Sequence, residues 1–121
     1  MVPTTSDPAV GAVLGLGSRF AFAGRHDFSV RLIGSTSLSV LEVARGRMDA
    51  FVVRTKMWNF YWARPLVLSS RIALRVFVGD RLELVDFEKV AQTPEDSWTI
   101  VCEGAMPRIP RESLEEICAS Q

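Results

Sequence analysis

The chain has 121 residues, of which 48% are apolar and 23% are charged, and its 14 Lys and Arg residues balance 14 Asp and Glu residues. This is the composition of one globular domain, and it excludes a disordered tail, a collagen-like repeat and a two-domain enzyme. Because the net charge is zero, no overall field attracts nucleic acid phosphates or an anionic membrane, and we expect neither as a partner.

The first third of the chain predicts a frayed end, a weak helix and a strand. Residues 1–7 are small and polar and read as a frayed end. A helix is expected over about residues 8–16, although three closely spaced glycines weaken it. Residues 28–33 alternate apolar and polar side chains and then become apolar, which predicts a strand that ends at Gly34.

The start of the chain also bears on localisation. The apolar run over residues 9–17 follows a leader that has no Lys or Arg, unlike a secretory signal peptide. No apolar stretch approaches the ~20 residues that span a bilayer. Cys102 and Cys118 lie in apolar patterns and form no CxxC pair, which is typical of buried, reduced thiols. We therefore expect a cytoplasmic protein that needs neither a disulfide nor a metal for stability.

The middle of the chain predicts a helix followed by a strand. Ser35, Thr36 and Ser37 offer N-caps to a helix whose apolar residues follow helical spacing and which Gly46 ends. The run over residues 48–53 is apolar and β-branched and predicts a buried strand. This alternation indicates an α/β fold with layered elements.

The second half predicts further elements of both kinds. Residues 58–72 have helical composition, but Pro65 should force a kink. Residues 73–78 and 82–85 flank a turn that contains a glycine and predict a β-hairpin. The remaining predictions are a buried strand over residues 98–102 and a helix opened by Pro110, with Leu114, Ile117 and Cys118 on its apolar face. Residues 1–121 contain no repeat or linker and are treated as a single domain.

Few side chains suggest catalysis. His26 is the only histidine and lies in a polar turn, where a surface or turn-stabilising role is expected. No phosphate-binding loop, dinucleotide fingerprint, zinc-protease motif or nucleophile elbow occurs. The acidic residues are dispersed over strand ends and loops and predict no magnesium cluster: Asp49, Asp80, Asp86, Glu88, Glu95 and Asp96. We predict no catalytic residue and no metal ligand.

Basic and aromatic residues lie close together between positions 45 and 62. The basic ones are Arg45, Arg47, Arg54 and Lys56. This mixture is compatible with single-stranded nucleic acid binding. Glu42 and Asp49 match the arginines, however, and Trp, Tyr and Arg are the residues that anchor protein interfaces. We therefore predict a protein interface at Trp58, Tyr61 and Trp62.

Three stretches resemble the C-terminal half of the inositol monophosphatase family. They are Arg31 to Leu38 (RLIGSTSL), Val43 to Phe51 (VARGRMDAF) and Trp58-Asn59. In the family the corresponding pattern is Arg-x-x-Gly-Ser/Thr-Ala-Ala, a helix ending Val-Ala-x-Gly, then Arg-x-Asp-Ala/Gly-Phe/Tyr and Trp-Asp. The similarity covers about residues 28–118.

The resemblance implies a layered α/β fold in which a mixed β-sheet lies between helices. Members of the family hydrolyse phosphate monoesters with magnesium, and most of their metal ligands belong to an N-terminal half that has no counterpart in this sequence. Asn59 replaces the metal-binding aspartate of the Trp-Asp motif, and a helix N-cap is its expected role. Tyr61 and Trp62 replace the small residues that follow. The turn of Gly34, Ser35 and Thr36 retains the family's substrate-side pattern and is a vestigial substrate-binding candidate.

These features predict a non-catalytic accessory or structural domain that acts through protein–protein contacts, with another protein or a second copy of itself, and without a cofactor. The alternative is one half of a split magnesium-dependent phosphatase whose carboxylates belong to another chain. A third alternative is that Met1 is an internal start or that the chain is a gene remnant, in which case the isolated chain should be unstable.

Overall fold

The computed structural model describes residues 12–17, 29–32, 35–90 and 96–120. These residues form a mixed β-sheet with helices packed on both faces, as the α/β prediction required. In chain order the elements are β1 (Val13–Leu16), β2 (Ser29–Leu32), α1 (Thr36–Ala44), β3 (Ala50–Lys56), a 3₁₀ helix (Met57–Ala63), α2 (Arg64–Leu68), β4 (Ile72–Val78), β5 (Arg81–Leu84), α3 (Phe87–Val90), β6 (Ser97–Gly104) and α4 (Arg111–Ala119).

The sheet has the strand order β2-β1-β3-β6-β4-β5. β1 pairs in parallel with β2 and with β3, whereas β6 runs antiparallel to β3 and β4, and β5 runs antiparallel to β4. The carboxyl ends of the three parallel strands therefore lie at one edge of the sheet, here called the carboxyl edge. The 3₁₀ helix follows β3 directly at this edge, and α1 begins there after β2.

Two apolar cores lie on opposite faces of the sheet because side chains alternate along each strand. One core packs α1 and the 3₁₀ helix against the sheet. The other lies under α4 and includes Leu114 and Ile117. In β3, Phe51 belongs to the first core, whereas Ala50 and Val52 belong to the second. The central strands β3 and β6 are therefore buried on both faces, which explains their almost continuous apolar sequences.

The predicted helix over residues 8–16 is wrong where the structure describes it, because Val13–Leu16 is the strand β1. The glycines explain the difference. A Cβ at Gly15 would collide with the Met48 sulfur, and one at Gly17 would lie 2.8 Å from Val53 Cγ2. These glycines let neighbouring side chains approach the backbone closely, which is a recognised use of glycine in strands. The predicted frayed end over residues 1–7 lies outside the described residues.

The other predicted elements occur, with shifted ends. Segment 58–72 is helical but comprises the 3₁₀ helix and the short helix α2, and the strand β4 already begins at Ile72. Pro65 lies in the first turn of α2, where its missing N–H removes no helical hydrogen bond. The boundary between the 3₁₀ helix and α2 therefore lies just before the proline, and the predicted kink within a single helix does not occur. The predicted hairpin is formed by β4 and β5, and Gly79 has a φ of +67° in its turn.

Both cysteines are buried and unpaired, as predicted. Burial raises the pKa of the Cys102 thiol, and the neighbouring Glu103 carboxylate raises it further. Burial, with a contribution from Glu115, raises the pKa of the Cys118 thiol to about 12. Both side chains therefore remain protonated at neutral pH and pack as small apolar groups.

Candidate functional site

The first candidate site is the carboxyl edge, where ligands commonly bind in α/β sheets. Ser35 is the N-cap of α1, and its hydroxyl oxygen accepts a 3.2 Å hydrogen bond from the Leu38 N–H. Its carbonyl oxygen accepts a 2.8 Å hydrogen bond from the Ser39 hydroxyl. Ser35 is exposed and Thr36 is partly exposed. The predicted cap is thus confirmed, while Gly34 lies outside the described residues.

Asn59 is not a helix cap, which corrects the expected role. It is the third residue of the 3₁₀ helix, and Lys56 occupies the N-cap position. The Asn59 side chain instead donates a 2.7 Å hydrogen bond from Nδ2 to the Thr55 hydroxyl oxygen. The helix begins two residues earlier than the asparagine because β3 runs directly into it without a loop. Asn59 therefore presents an exposed, neutral amide at the carboxyl edge.

The three predicted interface residues differ in exposure. The Trp62 side chain is 43% exposed. The Tyr61 ring is partly buried and packs against Phe87, with ring centroids 5.9 Å apart. Trp58 belongs to the 3₁₀ helix, but its side chain is outside the described part of the structure. Phe60, between them, is completely buried in the core under α1.

The basic cluster is divided by the fold. Arg45 and Arg47 follow α1, whereas Arg54 and Lys56 lie near the opposite end of β3. Arg47 pairs with Glu42 at 3.8 Å, in agreement with the predicted matching of charges. Arg54 instead donates a hydrogen bond to the Thr99 hydroxyl oxygen. These four basic residues therefore do not form one cluster.

Asp49 precedes the strand β3, and its side chain is only 12% exposed. Its carboxylate accepts a 2.7 Å hydrogen bond from the Val13 N–H and bonds of 3.0 and 3.1 Å from the Arg108 guanidinium. Its carbonyl oxygen accepts a bond from the Gly104 N–H. The bidentate contact raises the pKa of Arg108 above its ordinary value. Asp49 thus joins β1, β6 and the loop before α4.

A second candidate site is a cleft of about 490 Å³ next to Asp49, here called the α1–α2 cleft. Its walls are the end of α1 with Arg45, the turn between α2 and β4 with Arg71, and the loop after β6 with Met106. Because α1 spans nine residues at about 1.5 Å each, this cleft lies roughly 13 Å from Ser35. It is therefore distinct from the predicted substrate-side turn.

Arg71, Met106 and Arg108 were not identified from the sequence. Arg108 meets Asp49 across 59 residues of chain, and no local pattern encodes so distant a contact. The Gly-Arg-Met-Asp-Ala motif contains Asp49, but it does not indicate which residues hydrogen-bond to that carboxylate.

The described residues contain no group of three or more His, Cys, Asp or Glu side chains arranged to hold a metal ion. None of the helices in this part of the chain has the length and apolar character needed to cross a membrane. Comparisons with protein-family models, with curated proteins and with solved structures returned no match to this chain.

Proposed function

We propose that this chain is a non-catalytic, inositol-monophosphatase-like accessory domain that acts through protein–protein contacts. The observation that carries the proposal is apolar exposure on the outer side of one helical layer. Leu38 and Leu41 in α1 are 50% and 36% exposed, and Trp62 in the 3₁₀ helix is 43% exposed. We call these three side chains the helical-layer surface.

The two helices that carry this surface cover the same face of the sheet. Val40 and Val43 of α1 share a buried core with Phe60 and Ala63 of the 3₁₀ helix. Leu38 and Leu41 are three residues apart and therefore adjacent on the outward side of α1. Exposed large apolar side chains, tryptophan in particular, are typical anchors of protein interfaces.

The carboxyl edge supports a non-catalytic role for the described residues. At the position where the resembling family has a metal-binding aspartate, Asn59 has a neutral amide that is engaged with Thr55 at 2.7 Å. Hard divalent cations prefer anionic oxygen ligands, and an amide supplies no formal charge. Two buried, unpaired thiols are also compatible with a reducing compartment such as the cytoplasm.

The test is native mass spectrometry of the tagged chain, expressed in its source and isolated without denaturation. We expect a stoichiometric complex, with a second copy or with another polypeptide, that is lost when Leu38 and Leu41 are both replaced by Glu. Leu84→Glu is the matched control, because Leu84 is 65% exposed in β5, away from α1. A stable, folded monomer under these conditions would contradict the proposal.

The same experiment distinguishes the split phosphatase. In that case the partner carries the missing carboxylates, the complex hydrolyses a phosphate monoester only with magnesium, and Asn59→Asp increases the rate. Such a result would replace an accessory role with a catalytic one.

A further inference from the structure

The α1–α2 cleft combines an apolar floor with an exposed apolar rim. Val43 and Met48 line it and are almost completely buried, whereas Met106 is 87% exposed. Its volume of about 490 Å³ is within the range of about 300–1,000 Å³ that is usual for ligand sites. An exposed methionine beside a buried apolar floor suits contact with another apolar side chain.

The charge of the cleft is strongly one-sided. Three arginines and one aspartate line it, in a chain whose net charge is zero. Arg108 is engaged by the bidentate contact with Asp49. Arg45 and Arg71 are exposed, and neither forms an ion pair with any residue that the structure describes. The lining therefore has an excess of two positive charges.

The positions of Arg45 and Arg71 at helix C-termini explain only part of the excess positive charge in the cleft. Arg45 is the C-cap of α1, and Arg71 follows the end of α2. Cations at such positions interact favourably with the partial negative charge of a helix C-terminus. A guanidinium group has five N–H donors, however, so two exposed arginines retain most of their capacity to bind carboxylates.

We propose that the α1–α2 cleft binds an acidic peptide segment of a partner protein, one that alternates carboxylate and apolar side chains. The two arginines lie on different elements, at the end of α1 and in the turn before β4, and the apolar side chains of Val43 and Met48 line the same cleft. A ligand must therefore offer anionic and apolar groups in succession, which a peptide does and inorganic phosphate does not. This proposal does not depend on the helical-layer surface, although Leu41 of that surface lies one turn before Arg45 on α1.

The test uses a fluorescein-labelled peptide, Glu-Leu-Glu-Glu-Leu-Glu, and fluorescence anisotropy with the full chain at low ionic strength. We expect binding that weakens about tenfold when Arg45 and Arg71 are both replaced by Gln, which keeps most of the aliphatic stem. Arg81→Gln is the matched control, because Arg81 is exposed in β5, away from the cleft. A peptide with Lys in place of Glu should not bind.

Two outcomes would overturn the proposal. One is the absence of peptide binding at millimolar concentration, and the other is equal weakening by Arg81→Gln and by the double substitution. Leu41 lies one turn before Arg45 on α1, and a glutamate there would pair with that arginine, so the peptide assay uses Leu38→Gln with Leu41→Gln. Loss of the stoichiometric complex in this variant with retention of peptide binding, or the reverse in the Arg45 and Arg71 variant, separates the two proposals. NMR shift mapping should place the peptide effects on residues 43–49, 70–71 and 104–108.

Discussion

Ser70 has a φ of 60°, a left-handed conformation that L residues adopt only with strain. It follows α2, where its N–H bonds the Val67 carbonyl and the Arg71 N–H bonds the Leu66 carbonyl. This is the Schellman arrangement, in which glycine is preferred. The end of α1 has the same pattern, with Gly46 at a φ of 78°.

The two helix ends predict opposite effects of substitution. Ser70→Gly should raise the free energy of unfolding by about 0.5–1 kcal/mol, because relief of strain exceeds the added chain entropy of glycine. Gly46→Ala should lower it by about 1 kcal/mol because of backbone strain at positive φ, and no steric collision contributes, since a Cβ at Gly46 meets no atom within 4 Å. Urea denaturation measures both. Destabilisation by Ser70→Gly would show that the serine side chain itself contributes there.

The Cys118 thiol predicts a dependence of stability on alkaline pH. Burial raises its pKa from 9.0 to about 12 in the folded chain. Above about pH 9 the unfolded state loses a Cys118 proton that the folded state retains, so this thiol lowers stability by about 1.4 kcal/mol per pH unit until it ionises in the folded chain, and Cys102 adds its own contribution. Cys118→Ala should reduce this slope in urea titrations between pH 8 and 10.5. Equal slopes for the Cys118→Ala variant and the unchanged chain would contradict a raised pKa of the Cys118 thiol.

Among the elements, β5 is an edge strand of the sheet, and α4 protects it. The Leu82 N–H donates a 2.7 Å hydrogen bond to the Glu115 carboxylate, although 33 residues separate the two. Edge strands with unpaired N–H groups are templates for association with other chains. Glu115 thus provides this N–H with a partner inside the same molecule.

Removal of the Glu115 carboxylate should therefore have two effects. Glu115→Ala should lower the free energy of unfolding by about 1.5–3 kcal/mol, because a hydrogen bond to a charged group is lost. It should also increase self-association, measured by sedimentation over a range of concentrations. Glu116→Ala is the control, since Glu116 is exposed on the same helix. Equal behaviour of the two variants would contradict the protective role.

For the whole molecule, Asp49 connects parts of the chain that lie far apart in sequence. Asp49→Ala would leave the Val13 N–H without its acceptor and Arg108 without its carboxylate, and should lower the free energy of unfolding by about 2–4 kcal/mol. Arg108→Gln should cost less than about 1 kcal/mol, because that side chain is half-exposed. Urea unfolding measured by tryptophan fluorescence tests whether Asp49→Ala is the more destabilising substitution. Equal losses in the two variants would indicate that the ion pair between Arg108 and Asp49 provides most of the stabilisation.

Predictions from sequence succeeded where the signals are local. The Ser35 cap and Gly46 mark the two ends of α1, and the turn with Gly79 marks the hairpin. These interactions join residues within a few positions, so a short window of sequence contains all the necessary information. The expectation for Asn59 was wrong because capping depends on where the helix begins, and the continuous passage from β3 into the 3₁₀ helix decides that position.

Local sequence patterns were sufficient to predict the α/β class, most element positions and the burial of both cysteines, because periodicity, caps and glycines act over short distances along the chain. Three features became evident only in the folded chain: Val13–Leu16 is a strand, Arg108 binds Asp49, and Arg45 and Arg71 line one cleft. Each of these depends on contacts between distant residues. Such contacts form when strands pair and layers pack, and no local pattern specifies them.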